Sequence, residues 1–444
     1  MILKLPLPPH PDLDHYRKRA KDLVNAAATA DPGTIRQWIA AWLAVLAQHL
    51  GHSIADAKPR EFAGVVAHLE ARIRTLMSAA AARGSTLAVS DAQFFLATVH
   101  GFADWSEMAA EINRLNTSDP ATREFESAVD AVVTGDLSAL DAFLARNSAI
   151  VRARSHRAHQ ATLLHYVAAN GVEDYRQRTP PNAVDVATRL LDAGADVDAL
   201  AKTYSGGWWE TPMNLLVSSA HPAGAGLQGA LAELLIDRGA AIDGLRNDES
   251  PLMTALDFGY GDTAGTLVRR GARVDTVSSA AALGRLDLVN AMVVSRDIVR
   301  GDVPLVAPPW RKLPNEPGPH LELALVWACK FRRVPVAEYL LDLGVNPAAA
   351  DGYKMTPLHW AAANGVLSLM DRLLDLSAPL EMENIWEGTV LDSTAYFADH
   401  QPVAGVDYAA VLDRLVAAGA KLAVFGSAPT GSAIVDALLA RHGR

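Results

Sequence analysis

One pattern, a helix end closed by a glycine, recurs through the last two thirds of this chain and constrains its fold more than any other feature. The pattern reads Leu-Leu-x-x-Gly-Ala, and its stop positions are Gly194, Gly239, Gly271, Gly344, Ser377 and Gly419. The steps that end at Gly271 and Ser377 are the shortest and nearly equal, whereas the longer steps leave room for insertions. A period of about 33 residues predicts a stack of helix pairs, because one pair alone cannot bury its apolar face.

Each predicted pair begins at a capped helix. In the fullest start, the segment 356–365, Thr356 caps the helix and Pro357 takes the first helical position. The other starts are at Thr162, Thr211, Ser250, Ser278, Leu321 and Thr389. Apolar residues at helical spacing follow them, as a helix with one buried face requires.

With this spacing and these starts, residues 124–444 resemble the ankyrin-repeat family. The resemblance implies about seven repeats, with a degenerate first unit over 125–161 and a capping helix near 432–441. It also implies a curved array whose fingers and inner helices form a concave binding surface.

Residues 1–116 lack the repeat and are predicted to form a small helical domain. Four helices are expected, over 13–28, 34–51, 60–83 and 91–115, and residues 117–123 are predicted to be a linker. Segments of this region resemble a helical leader that precedes ankyrin arrays in many bacterial proteins. The predicted fold class is all-α, an α-solenoid of ankyrin-type helix pairs preceded by a small helical domain.

The overall charge and the single cysteine exclude several classes of function. With 50 acidic and 40 basic residues the net charge is −10, so nucleic acid is an unlikely partner. Cys329 alone cannot form an intrachain disulfide or a cysteine-rich metal module. The first residues lack the apolar core of a secretory signal, and no uninterrupted apolar window is long enough to span a bilayer, which predicts a cytoplasmic protein without membrane contact. No metal or cofactor is expected.

Long insertions interrupt the repeat, and insertions in such arrays often lie on the binding face. They cover residues 173–182, 204–210, 221–229 and 302–320, and the finger 384–388 is also unusual. The residues predicted to bind a partner or ligand are Tyr166, Tyr175, Arg176, Tyr204, Trp208, Trp209, Tyr260, Trp360, Trp386 and Glu387. A hot spot is expected where Tyr175, Tyr204, Trp208 and Trp209 cluster, because aromatic residues and arginine dominate binding energy at interfaces.

Two functions follow from this pattern. The first is an interaction protein that binds a protein partner, one with a basic patch, through its concave face and finger loops. The alternative is a small-molecule-binding protein or acid–base enzyme, of isomerase, cyclase or lyase type, with a pocket roofed by the insertions. Its candidate acid–base groups are Glu210, Asp257, Asp174 and His165. Each has a structural interpretation as well: His165, like His359, can hold neighbouring repeats together, and Glu210 can complement a helix dipole.

Overall fold

The structure is a computed structural model that describes residues 5, 7–8, 11–29, 33–49, 59–116, 119–203, 208–308, 310–426 and 430–443. The predicted linker residues 117–118 and the finger residues 204–207 lie outside the described residues, as does the side chain of Trp208. By its internal contacts the chain divides into two compact units, Met1–Leu227 and Gln228–Arg444.

The first unit begins with five helices. They are α1 (Leu13–Ala27), α2 (Gly33–His49), α3 (Pro59–Ala82), α4 (Val89–Val99) and α5 (Trp105–Leu115). These helices share one apolar core in which Leu23, Ile39 and Trp42 are almost fully buried. The single helix predicted over 91–115 is wrong. Gly101 turns the backbone into the left-handed region at φ 87°, and Asp104 begins a new helix by accepting from the Glu107 N–H at 2.9 Å.

The rest of the first unit consists of short helices and one finger hairpin. The helices are α6 (Pro120–Thr134), α7 (Leu137–Arg146), α8 (Leu163–Val167), α9 (Ala183–Asp192), α10 (Pro212–Val217) and α11 (Ala220–Gly224). Strand β1 (Ala201–Thr203) pairs antiparallel with β2 (Trp208–Glu210), and Lys202 lies opposite Trp209. Helix α8 packs against both α6 and α10, and α7 packs against α9, so inner and outer helices form two parallel rows.

The second unit is built from the same kind of helix pair. Its helices are α12 (Gln228–Asp237), α13 (Ser250–Asp257), α14 (Gly261–Arg269), α15 (Val277–Ala282), α16 (Leu286–Met292), α17 (Pro317–Lys330), α18 (Val334–Asp342), α19 (Pro357–Ala363), α20 (Leu367–Asp375), α21 (Val390–His400), α22 (Tyr408–Ala417) and α23 (Ala433–His442). Strands β3 (Val293–Ser295) and β4 (Ile298–Val299) form a second hairpin. The inner helices α13, α15, α17, α19 and α21 stack in chain order. The predicted all-α solenoid fold is confirmed.

The glycine stops that define the repeat do what their position predicts. Gly344 has φ 82° and Gly419 has φ 106°, and even Ser377, where glycine is replaced, has φ 61°. A left-handed residue ends each helix and turns the chain toward the next finger. The apolar core between the helices of the second unit contains Cys329, which is fully buried in α17. Burial raises the pKa of the Cys329 thiol far above its usual range.

Candidate partner-binding surface

Two consecutive fingers of the second unit are closed by a buried polar side chain. In the first, the Asp351 Oδ1 atom accepts from the backbone N–H of Tyr353 at 2.9 Å and from that of Met355 at 3.0 Å. Its Oδ2 atom accepts from the indole N–H of Trp360 at 2.9 Å. A short polar side chain that bonds the backbone beyond it forms a tight turn, so Tyr353 is projected at the tip. Burial raises the pKa of Asp351, although nearby Lys330 opposes this.

The second finger repeats this design one repeat further along the chain, with an amide in place of the carboxylate. The Asn384 Oδ1 atom accepts from the N–H of Trp386 at 2.8 Å and from that of Gly388 at 3.1 Å. The Asn384 amide group donates to the Ser393 hydroxyl at 2.9 Å, which ties the finger to α21. Glu387 has φ 62°. The finger is therefore fixed from inside while its tip faces solvent.

The finger tips carry a pair of stacked rings, one half-buried and one exposed. Tyr353 and Trp386 have ring centroids 5.6 Å apart and planes inclined by 12°. Trp386 is 66% exposed and Ile385 is 48% exposed. The Ile385 N–H donates to the Tyr353 carbonyl at 3.0 Å. This hydrogen bond fixes the position of one finger relative to the other. Large apolar side chains that a rigid turn holds in water mark a contact surface.

Carboxylates flank this apolar tip in the sequence. Glu381, Glu383 and Glu387 are exposed on the same finger, and Met382 between them is 37% exposed. Glu381 also accepts from the backbone N–H of Lys421 at 3.0 Å, which fixes the base of the finger. We call Tyr353 and residues 381–387 the finger surface. Its chemistry is acidic and apolar together, which complements a segment that is basic and apolar.

Behind the fingers, an aromatic and charged row follows the inner helices. The Lys330 ammonium lies 5.2 Å from the centre of the Trp360 ring, and the Trp360 and Phe397 ring centroids are 5.9 Å apart. Burial lowers the pKa of Lys330, while the charges of Asp257 and Asp351 act in the opposite direction. A cation over an indole face is attracted by the ring quadrupole, so Lys330 and Trp360 hold each other in place.

Asp257 ends the first inner helix of this row. Its Oδ2 atom accepts from the indole N–H of Trp310 at 2.7 Å, and its carbonyl accepts from the Lys330 ammonium at 2.5 Å. The Trp310 ring meets Phe258 edge-on, with centroids 5.6 Å apart. Tyr260 lies two positions after Phe258, and partial burial raises its pKa. The predicted acid–base candidate is thus held by two side chains from later in the chain.

Residues 325–398 match a family model described as ankyrin repeats in many copies, and this stretch contains both fingers. The chain contains ankyrin repeats. Ankyrin repeats are protein-interaction modules.

Further comparisons are less specific. The ankyrin repeat domain of human ASB11 is among the solved structures that match, at 19% identity and a TM-score of 0.26, covering 57% of this chain and 98% of that one. A superposition this loose carries no argument about the site. No curated protein matches the sequence. None of the helices within the described residues is long and apolar enough to cross a membrane.

In the first unit, His165 connects the start of α8 to the end of β2. Its Nδ1 atom accepts from the Thr162 N–H at 3.1 Å, and its Nε2 atom donates to the Glu210 carbonyl at 3.3 Å. Burial lowers the pKa of His165 to about 4, so the ring is neutral at pH 7. The Glu210 carboxylate accepts from the Asn214 amide at 2.9 Å. His359 makes the same Nδ1 contact with Thr356 at 3.2 Å.

Three of the predicted binding residues, Tyr166, Tyr175 and Arg176, are buried in the first unit. Arg176 pairs with Glu126 at 2.5 Å and with Asp130 at 2.8 Å, and the Tyr175 ring packs with Leu46 of α2. The Tyr166 hydroxyl donates to the Glu173 carboxylate at 3.5 Å. These contacts hold the insertion 173–182 against α2, α6 and α8. Asp174, beside them in sequence, is exposed.

Within that network, Glu173 is a buried carboxylate whose pKa is strongly shifted. Burial opposes its charge, but its contacts with His159 and Arg157 lower its pKa to about 2. Glu173 therefore remains a carboxylate and holds the insertion through its charge.

Of the other predicted binding residues, Tyr204 is outside the described part of the chain. Trp209 is 52% exposed on β2, Glu387 is exposed, and Trp360 is half-buried. The part of the chain that the structure describes contains no group of three side chains suited to hold a metal ion.

Sequence reasoning missed Asp351, Asn384, Tyr353, Lys330 and Trp310. A signal for the first two was present, because Asp351 and Asn384 each precede a helix-capping threonine by the same number of positions. Aligning the two fingers on those threonines would have paired their closing residues and their aromatic tips.

Proposed function

We propose that this ankyrin-repeat protein binds a basic, apolar segment of a protein partner through the finger surface. The observation that carries the proposal is the stacked pair of Tyr353 and Trp386, in which Trp386 is 66% exposed on a turn closed by buried Asn384. Tryptophan is the residue type that most often dominates binding energy at interfaces. The surrounding glutamates select a partner that brings lysine or arginine.

Rigidity supports the same function. Each closing side chain satisfies two backbone N–H groups, so the tip needs little ordering when a partner arrives. Avoiding that ordering cost leaves more of the interaction energy for affinity.

A displayed library of random peptides, selected against the full chain, tests the proposal. Selected peptides should combine lysine or arginine with aromatic or aliphatic residues. Trp386→Ala should weaken their binding at least tenfold, or about 1.4 kcal/mol, because the stacked ring is the anchor. Isothermal calorimetry measures the change.

Ile298→Ala is the control, since Ile298 is an apolar side chain, 53% exposed on β4, that lies outside the finger surface. It should leave the affinity unchanged. Selected peptides that are acidic or neutral, or whose binding survives Trp386→Ala, would contradict the proposal.

The acid–base enzyme has less support. Both ring nitrogens of His165 are engaged, Asp174 is exposed, and Glu210 accepts from a neighbouring amide. A general acid or base must instead reach the proton that it transfers. Partner binding therefore remains the function that the geometry favours.

A further inference from the structure

The insertion ahead of α17 contains a segment, residues 304–315, that we call the strap. It has no helix or strand among its described residues, which exclude residue 309. The backbone amides of those residues donate only within the strap, from Arg311 to the Pro308 carbonyl at 2.7 Å and from Leu313 to the Arg311 carbonyl at 3.1 Å. His320 of α17 donates to the Pro314 carbonyl at 3.2 Å. The strap is thus held to the repeats by side chains rather than by a backbone ladder.

Trp310 is the main anchor of the strap. Its indole N–H donates to the carboxylate of Asp257, which is only 3% exposed. A buried carboxylate is costly unless donors satisfy it, so this contact matters more than an exposed one would. The Trp310 ring also covers Phe258, which remains 39% exposed. Without the strap, an acceptor and an aromatic face would both be open.

Arg311 makes the second contact. Its Nη2 atom donates to the Ala350 carbonyl at 3.4 Å, and a methyl group added at Gly352 would lie 3.5 Å from its Nε atom. The guanidinium therefore lies against the backbone of the finger that Asp351 closes. Its charge also lowers the pKa of Lys330. This contact brings the strap to the finger that ends in Tyr353.

We infer that the face formed by Asp257, Phe258, Ala350 and Gly352 recognises a proline-flanked segment with adjacent tryptophan and basic residues. The strap is a tethered copy of such a segment, since it reads Pro-Leu-Val-Ala-Pro-Pro-Trp-Arg-Lys-Leu-Pro-Asn and carries two cations and no acid. A partner protein whose segment has the same chemistry and makes additional contacts, and so binds more tightly than the strap, displaces it. This inference rests on the proposed function of protein recognition and adds a second surface to it.

Tethering explains why the face is occupied in the free chain. A segment linked this closely competes at an effective concentration on the order of millimolar. An untethered peptide at lower concentration cannot displace it. Weakening the anchor should therefore expose the face to a peptide added from outside.

The test uses a synthetic peptide of the strap sequence with fluorotryptophan in place of tryptophan, followed by fluorine NMR. The full chain carrying Trp310→Ala with Arg311→Ala should bind this peptide at least tenfold more tightly than the native chain does. Peptides with alanine at the tryptophan or glutamine at the arginine, added as unlabelled competitors, should not displace the fluorinated peptide, and they require no change in the protein.

The inference is overturned if the double variant does not bind the peptide, or if the native chain binds it equally well. It is also overturned if the peptide without tryptophan binds as tightly. Should the double variant not fold, Trp310→Phe keeps a smaller aromatic ring beside Phe258 and removes the indole N–H. It should still bind the peptide more tightly than the native chain.

A further variant separates this inference from the proposed function. Adding Trp386→Ala to the double variant should leave binding of the strap peptide unchanged, because Trp386 is not among the strap contacts. Library-selected peptides that still bind this variant would count against the finger surface, whereas loss of strap-peptide binding would count against the strap face.

Discussion

The carboxylate of Glu249, the residue before α13, is 2% exposed and accepts from the backbone N–H of Asp275. Burial raises its pKa from 4.5 to about 7, and the charge of Asp275 adds to the shift while Arg273 reduces it. An acid whose folded-state pKa exceeds its unfolded value takes up a proton on folding, so stability falls as pH rises between those values.

We therefore expect Glu249→Gln to remove a pH-dependent loss of stability. In the native chain the loss should develop between pH 4.5 and 7 and amount to about 2–3 kcal/mol. The variant keeps an oxygen to accept from Asp275 but cannot ionise. Free energies of unfolding in urea at pH 5 and pH 8 measure the effect. Equal losses in both proteins would mean that Glu249 does not titrate in this range.

Single residues also show where sequence reasoning stops. Trp386 and Glu387 can be singled out from the sequence, and both are exposed at a finger tip. Tyr175 and Arg176 are likewise an aromatic residue followed by a charged one. They are nevertheless buried, because Leu46 and Glu126, which are distant in the sequence, contact them. Local composition predicts which side chains can bind, whereas their exposure depends on tertiary contacts.

At the scale of the elements, two glycines close to helix ends can be compared directly. Gly365, after α19, has φ 66°, and a Cβ atom there would overlap the side chain of Val406. Gly405, in the loop before α22, has φ 80°, but nothing lies within 4 Å of an added Cβ. The two positions share the backbone requirement and differ in packing.

Gly405→Ala should lower the free energy of unfolding by about 1–2 kcal/mol, the cost of a left-handed alanine. Gly365→Ala should cost about 1–3 kcal/mol more, because the added methyl group also displaces Val406. Denaturant unfolding of both variants measures the difference. Equal costs would show that Val406 moves aside freely.

The helices are the part of this structure that the sequence predicts best. Capping threonines and glycine stops recur at a fixed period, so the inner helices begin within a few residues of their predicted starts, as α19 does at Pro357. The error at 91–115 has a physical cause. Apolar spacing persists through Gly101 into α5, and only the left-handed backbone with the Asp104 cap separates the two helices.

For the whole molecule, the net charge of −10 bears on association. A basic partner is attracted by the total charge and by the glutamates of the finger surface, and salt screens both. The screening length falls from about 30 Å at 0.01 M salt to about 8 Å at 0.15 M. Only charges close to the bound segment should retain a specific effect.

We expect library-selected basic peptides to bind several-fold more weakly at about 0.15 M than at about 0.01 M salt, with most of the loss in the association rate. Glu383→Gln should flatten this dependence. Glu338→Gln, an exposed position on α18, removes the same charge and should change it much less. Stopped-flow measurements compare them. Identical salt slopes for the two variants would assign the effect to net charge alone.

The fold class could be predicted from the sequence because a solenoid repeats one local structure, the helix pair, many times. The strap contacts could not, since Trp310 meets the distant Asp257 through a segment without periodicity. Irregular insertions carry no pattern from which their contacts can be inferred.

The rate at which the single thiol, Cys329, is alkylated measures how often its surroundings open. Because the sulfur is fully buried among apolar neighbours, an alkylating reagent can reach it only while α17 is transiently separated from its packing. When reclosing is faster than alkylation, the labelling rate equals the reagent-limited rate multiplied by the fraction of time spent open. Alkylation of the unaltered chain thus reports the opening of the second unit. Any segment that binds this unit and stabilises its closed state lowers the labelling rate.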